Sequence, residues 1–243
     1  MENVRILLTG DTSLSVEFGN EISEEISRKV RAFRLALEKA AVPGVVETVP
    51  TYRSLMVHYD PAVIRYGKIR ERLERLLDEA DDAALPPGAV LEIPVLYGGE
   101  MGPDLPFVAA HAGLSEEEVI RIHSGTDYLI YMLGFTPGFA YLGGMSERIA
   151  APRLTEPRVL IPAGSVGIAG TQTGIYPIDS PGGWRLIGRT PLKMYDPGRE
   201  KPFLAEAGQY VRFCPVTQDE YDRILKDAEA GRFVPKTCTG KEG

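Results

Sequence analysis

Cysteine is scarce in this chain. Cys214 and Cys238 are the only two and form no Cys-x-x-Cys pair, which excludes a disulfide framework and a cysteine-built zinc site and points to two reduced thiols. Histidine is equally sparse. His58, His111 and His123 show no i, i+4 pairing with a neighbouring acid, so no metal centre is expected. Gly-Lys-Ser/Thr is absent, and Gly167-Ile168-Ala169-Gly170 has neither the spacing nor the following helix of a dinucleotide fingerprint. No Gly-x-Ser-x-Gly elbow occurs, so Ser165 in Ala163-Gly164-Ser165-Val166-Gly167 reads as a hydrogen-bonding serine rather than a nucleophile. There is no Lys/Arg run and the net charge is −7, which argues against a nucleic-acid partner. The first 20 residues mix charge and apolar residues too finely for a signal peptide. The uncharged stretch 159–178 carries too much Gly, Pro, Ser, Thr and Gln for a membrane span, and a cytoplasmic protein is expected.

What the chain has in abundance is glycine within one block. Residues 134–191 hold 11 of the 26 glycines, interleaved with Val, Ile and Tyr, a pattern of short strands, tight turns and close backbone approaches. The block ends in Ser180-Pro181-Gly182-Gly183-Trp184-Arg185 and Arg189, where small residues beside a tryptophan and arginines resemble the lining of a binding site.

Before this block the pattern differs. Residues 4–9, 14–18, 45–49 and 55–59 read as strands. Ile22, Ile26, Val30, Phe33, Leu37 and Ala40 form one helix face with Asn20 as its cap, and Tyr66, Ile69, Leu73, Leu76 and Ala80 form another, opened by Asp60-Pro61. The order ββαββα predicts a small α+β domain over residues 1–82. Asp81–Gly88, acidic and proline-rich, is the predicted linker. A second, mainly-β domain is expected over 88–243, a sandwich or closed barrel. Residues 90–97 read as its first strand, and Pro94 marks it as an edge strand or a strand start. Strands are also predicted at 127–135, 158–161, 165–168, 174–178, 184–188, 192–195 and 210–214. Two capping boxes, Ser115/Glu118 and Thr217/Glu220, open helices, and Gly231 ends the second.

Candidate site residues follow from chemistry. Gln172 puts an amide into an uncharged stretch, where it must find partners or contact a ligand. Arg158 and Arg189 flank strands and have the fork geometry for a carboxylate or phosphate. His123 ends a helix, where it serves either as a C-terminal anchor or as a site residue. Tyr141 and Trp184, with Phe135, Phe139 and Tyr176, form either a core set or the walls of a cleft. Ser180 opens the Pro-Gly-Gly-Trp segment.

Gly134-Phe135-Thr136-Pro137-Gly138-Phe139-Ala140-Tyr141-Leu142, together with residues 162–177 and 180–191, resembles the family that contains the B subunit of bacterial 5-oxoprolinase and the kinase inhibitor KipI, also known as allophanate hydrolase subunit 1. The resemblance runs through nearly the whole chain. It implies that the α+β domain precedes a cyclophilin-like β-barrel. It also implies two partner chains: a C subunit of allophanate hydrolase subunit 2 type, and an A subunit of LamB/YcsF type. Together the three would open 5-oxo-L-proline to L-glutamate with ATP. On this reading the chain is one component of a hydrolase, inactive alone. By analogy with urea carboxylase, a small amide or carboxylate sits around Gln172, Ser180, Trp184 and Arg189. The alternatives are a KipI-like inhibitor of a sensor histidine kinase and a component of a biotin-dependent amide carboxylase. Fold likeness to cyclophilin does not license prolyl isomerase activity.

Overall fold

The computed structural model describes residues 4–80, 85 and 88–239, and separates the chain into two compact units, Met1–Pro86 and Pro87–Gly243. Of the predicted linker, only Leu85 and Gly88 lie among the described residues.

The first unit has the order read from the sequence: β1 (Arg5–Leu8), β2 (Ser13–Glu17), α1 (Glu24–Ala40), β3 (Val45–Pro50), β4 (Ser54–Tyr59) and α2 (Tyr66–Glu79). The strands form an antiparallel sheet in the order β1-β2-β4-β3. Alternate residues Leu14, Val16, Leu55 and Val57 leave the sheet on one face and meet Val30, Phe33, Leu37, Ile69 and Leu73 of the helices in one apolar core. Two helix starts differ from expectation. Ser23, not Asn20, caps α1, its hydroxyl accepting from the Ile26 N–H, and Ile22 is left exposed. Asp60 accepts from the Ala62 N–H in a local turn, and α2 begins only at Tyr66. In both places a short polar side chain satisfies a nearby backbone donor, which decides the helix boundary more strongly than apolar spacing does.

The second unit is built on an eight-stranded sheet: β5 (Ala89–Tyr97), β6 (Asp127–Leu133), β7 (Ala140–Gly143), β9 (Ser165–Ala169), β10 (Gln172–Ile175), β12 (Arg185–Arg189), β13 (Tyr210–Pro215) and β14 (Thr237–Thr239). The path runs β10-β9-β12-β5-β13-β6-β7, with β14 also paired to β5, and the end strands β10 and β7 pack against each other. The result is a nearly closed barrel. β8 (Arg158–Ile161) and β11 (Ser180–Gly182) form a separate two-stranded ribbon. Among the described residues three α-helices, α3 (Leu105–Ala112), α4 (Glu116–Ser124) and α5 (Gln218–Glu229), and a 3-10 turn at Glu147–Ile149 complete the unit. Both predicted capping boxes are formed, at Ser115/Glu118 and Thr217/Glu220. Residues 192–195 form no strand and contribute only an isolated bridge, Tyr195 to Phe203.

β5 is not an edge strand, and Pro94 lies in its interior rather than at its start. The strand is central, parallel to β13 on one side and antiparallel to β14 and β12 on the other. The Glu92 N–H donates to the Lys236 carbonyl, so the nitrogen of Pro94, two residues on, faces the same side. There it falls in the interval between β14, which pairs with residues 89–91, and β12, which pairs with 96 and 97. A gap shared by two short strands spares the missing donor.

β12 needs glycine at one rung. A Cβ on Gly188 would lie 2.7 Å from Val95 Cγ1 and 2.8 Å from the Leu96 carbonyl oxygen, beside the β12 bulge. Gly188→Ala is expected to cost about 2–3 kcal/mol of stability, since a backbone oxygen cannot step aside. A denaturant melt of the variant indistinguishable from wild type would show that the rung yields.

Candidate functional site

Val166 and Ile168 point into the barrel and Gly167 points out. Thr173, paired with Ile168, also points in, whereas Gln172 and Gly174 point out. The outward face of β9 and β10 is therefore bare backbone at Gly167 and Gly174, and aromatic rings occupy the space. A Cβ on Gly174 would lie 3.2 Å from Trp184 Cζ3 and 3.6 Å from Phe139 Cζ, and one on Gly167 would lie 3.2 Å from Trp184 Cβ. Phe139 and Tyr176 both meet the Trp184 ring edge-on, at 5.9 and 6.1 Å, and Tyr141 meets Phe139 at 5.2 Å. Between these rings opens a cleft of about 190 Å³ lined also by Phe135, Arg153, Gln172 and the backbone of residues 181–183.

The cleft joins three of the seven residues predicted from sequence: Gln172, Trp184 and Tyr141. Ser180 is next to the lining residue Pro181, on the ribbon opposite Ile161. Arg158 is committed elsewhere. Its guanidinium makes a bidentate pair with the buried Asp104, at 2.9 and 3.0 Å, and reaches the Trp184 carbonyl at 3.5 Å. Asp104 also accepts from the Leu186 N–H at 2.7 Å, so the pair ties the start of α3 and the ribbon to β12. Arg158 is a support for the Trp184 segment and not a free clamp. Asp104→Ala should cost about 2–4 kcal/mol, because it orphans a backbone donor and a half-buried guanidinium together. A thermal melt within a degree of wild type would refute that reading.

His123 lies in the core with no exposed surface. Its Nε2 is 2.8 Å from the Thr173 hydroxyl, its Nδ1 is 2.7 Å from the Tyr97 hydroxyl, and its ring stacks on Phe213 at 4.5 Å. The Thr173 hydroxyl donates to the Gly167 carbonyl at 3.1 Å, so its oxygen must accept from His123 Nε2–H. Nδ1 then accepts from Tyr97. The chain Tyr97→His123→Thr173→Gly167 is satisfied at every link by a neutral imidazole, and burial alone holds the His123 pKa down to about 3. Of the two roles open to this histidine, these contacts select the structural one. It anchors α4 to the strands beneath the cleft floor.

Arg189 does not line the cleft, and sequence reasoning missed Arg153, which does. Arg153 lies in an irregular segment with no pattern around it, and nothing local marks it. The cleft's chemistry is legible from its walls. Arg153 is the one charged side chain among the described lining residues, Gln172 offers an amide donor and acceptor, and the Trp184 face offers an apolar platform. Burial raises the Tyr176 phenol pKa, while the Trp184 backbone and the charges of Arg153 and Arg158 pull against it. The phenol is therefore a neutral hydrogen-bonding group at physiological pH. Phe135, at the rim, is 80% exposed and has φ of 65°, a left-handed conformation uncommon for a residue other than glycine. Among the described residues no group of His, Cys, Asp and Glu is arranged to hold a metal ion, and no helix is long and apolar enough to cross a membrane.

Residues 4–205 match the model of the carboxyltransferase domain, subdomain C and D. The chain belongs to this family. Within it, the chain is 46% identical to the B subunit of 5-oxoprolinase from Bacillus subtilis (strain 168), over 90% of this chain and 95% of that protein. It is 44% identical to the corresponding 5-oxoprolinase B subunit of Escherichia coli O157:H7, over 88% of this chain and 97% of that one. The solved structure of TTHA0988 superposes with a TM-score of 0.75 at 43% identity, covering 84% of this chain, which spans only 40% of TTHA0988. The urea amidolyase of K. lactis shares the fold, with a TM-score of 0.76 over 97% of this chain and 16% of that one, at 21% identity. The cleft thus belongs to a carboxyltransferase subdomain C and D protein whose near full-length relatives are named as subunits of 5-oxoprolinase.

Proposed function

We propose that this chain is the B subunit of a 5-oxoprolinase, working with separate A and C subunits to open 5-oxo-L-proline to L-glutamate at the expense of ATP. The observation that carries this reading is the 46% identity over 95% of the length of a protein named as the B subunit of that enzyme. A sequence that matches such a component over most of the length of both supports the same role in the same kind of assembly. The cyclophilin-like character of the barrel and a cytoplasmic location belong to this reading as well.

The cleft supports it chemically. 5-Oxo-L-proline is a small flat ring with a carboxylate and a lactam. Arg153 offers the carboxylate a charge-assisted fork, Gln172 offers the lactam both a donor and an acceptor, and Trp184 offers the ring a flat apolar face. The volume of about 190 Å³ lies below the roughly 300–1,000 Å³ of ordinary ligand pockets and suits a small ligand, and among the described residues no glycine-rich phosphate loop opens a helix beside it. No ATP step is therefore assigned to residues of this cleft. Its part is to bind the lactam, orient its carbonyl and exclude water, with the partner subunits completing the site.

The test is glutamate release from 5-oxo-L-proline and ATP by this chain mixed with candidate A and C subunits, each omitted in turn. Activity is expected only with all three present. Well-folded, associated subunits that release no glutamate would refute the reading. So would full activity without this chain. Within an active complex, Trp184→Leu is expected to raise KM for 5-oxo-L-proline by about tenfold through loss of the flat platform. An unchanged KM would remove Trp184 from the site.

A further inference from the structure

β6 and β7 are joined by a tight loop that presents Phe135 to the cleft. Leu133 pairs with Ala140, and beyond that rung the Gly134 N–H donates to the Phe139 carbonyl at 3.1 Å. Two turns fill the tip. The Thr136 N–H donates to the Gly134 carbonyl at 2.8 Å across Phe135, whose φ is 65°, which makes a γ-turn of the rarer, positive-φ kind. The Phe139 N–H donates to the Thr136 carbonyl at 3.1 Å across Pro137 and Gly138, whose φ is 83°, the Pro-Gly pattern of a type II turn. These three backbone bonds between Gly134 and Phe139 hold the loop in one shape.

Stability does not account for phenylalanine at position 135. Where the adjoining turn needs a positive φ the chain has Gly138, which takes it freely. At Phe135 a bulky side chain sits in the same region, which disfavours any residue with a Cβ. The ring recovers little of that cost by burial, since it is 80% exposed and meets Phe139 edge-on at 5.8 Å. Yet it lines the same cleft as Trp184, and Phe139 is a common neighbour of the two rings, nearly perpendicular to each at 74° and 81°. A strained side chain held rigidly at the mouth of a cleft, with most of its surface open, is placed for contact with what the cleft binds.

We propose that Phe135 is a specificity-determining residue of the cleft: its ring packs on a small planar ring bound there and selects cyclic amides over open-chain ones. The proposal rests on the reading of the cleft as the site for 5-oxo-L-proline. The loop is fixed before the ligand arrives, so the contact costs little ordering of the protein. A cyclic amide is also fixed beforehand and presents a flat face to the aromatic ring. An open-chain amide of the same charge presents less flat surface and loses torsional freedom on binding.

Trp184 is the one tryptophan of the chain and lines the cleft, so its fluorescence reports occupancy in the full chain without partner subunits. The titrants are 5-oxo-L-proline and N-acetylglycine, an open-chain amide with the same carboxylate. Saturable changes are expected, with the cyclic ligand bound about fivefold or more tightly than the open one. Phe135→Gly is expected to weaken 5-oxo-L-proline about fivefold to tenfold and to leave N-acetylglycine within about twofold. Its melting temperature should stay within about two degrees of wild type, because glycine takes the positive φ without strain. Phe135→Tyr, which keeps the flat ring, should bind as wild type does. A Phe135→Gly chain that binds both titrants as wild type does overturns the role of Phe135 and leaves the reading of the cleft standing. One that melts far below wild type and loses both titrants equally makes Phe135 a structural residue of the loop and overturns the proposal too. A wild type whose fluorescence responds to neither titrant overturns the proposal and the reading of the cleft together.

Discussion

Replacing Arg153 by alanine is expected to raise KM for 5-oxo-L-proline in the assembled complex by about 10- to 100-fold. kcat should fall less. Arg153 is the one charged side chain among the described lining residues of the cleft, and a substrate carboxylate has no other cation there to turn to. Hydrogen bonds to charged groups are worth about 1.5–3 kcal/mol, which corresponds to that range. An interaction made equally in the ground and transition states appears in KM and leaves kcat alone. Arg153→Lys should recover part of the loss, because it restores charge but not the fork. Arg153 is exposed and outside any regular element, so its removal should leave the melting temperature where it is. Steady-state kinetics decide: an unchanged KM would exclude Arg153 from carboxylate recognition.

Acid should weaken the second unit through His123. Burial holds its folded pKa near 3, against an ordinary value near 6.5 in the unfolded chain. Between those values the unfolded state binds one proton more than the folded state, so stability rises with pH through the window and falls as pH drops below about 6.5. The slope is about 1.4 kcal/mol per pH unit, so roughly 3 kcal/mol is lost by a pH two units lower. Tyr97 and Tyr128, which also contact His123, both have raised pKa values and stay neutral throughout. Carboxylates add their own acid dependence, so the comparison is with His123→Gln. Gln keeps a donor toward Thr173 and cannot titrate. Denaturant melts from pH 7 to pH 4 should show wild type losing about one proton's worth of slope more than the variant. Parallel profiles would mean that His123 is solvated and protonated in the folded state.

Local periodicity determines much of this molecule. The ββαββα order of the first unit follows from apolar spacing and turn residues, because each helix and strand needs only its own face to be apolar. The capping boxes at Ser115 and Thr217 are equally legible, since a cap is a contact between residues three apart. The glycine block announces close backbone approaches, and Gly167 and Gly174 do open the space that Trp184 fills. Gln172, Tyr141 and Trp184 stand out as polar or aromatic groups in a glycine-rich block, and the cleft gathers all three.

Tertiary structure decides what depends on partners distant in sequence. Pro94 looks like an edge marker because the two strands that share its flank, β12 and β14, lie about a hundred residues away or more. Arg158 looks free because Asp104, its counter-ion, belongs to another element. His123 is open between two roles until Tyr97 and Thr173 close around it and burial removes its charge. Arg153 carries no local signal, as an arginine in an irregular segment is ordinary until the fold sets it at the rim of a cleft. The pairing of Ser165 with Arg189 exists only through the register of β9 and β12. Sequence specifies which faces are apolar and where the chain turns. Which polar groups meet, and which are left without a partner, is settled only when the strands take their register.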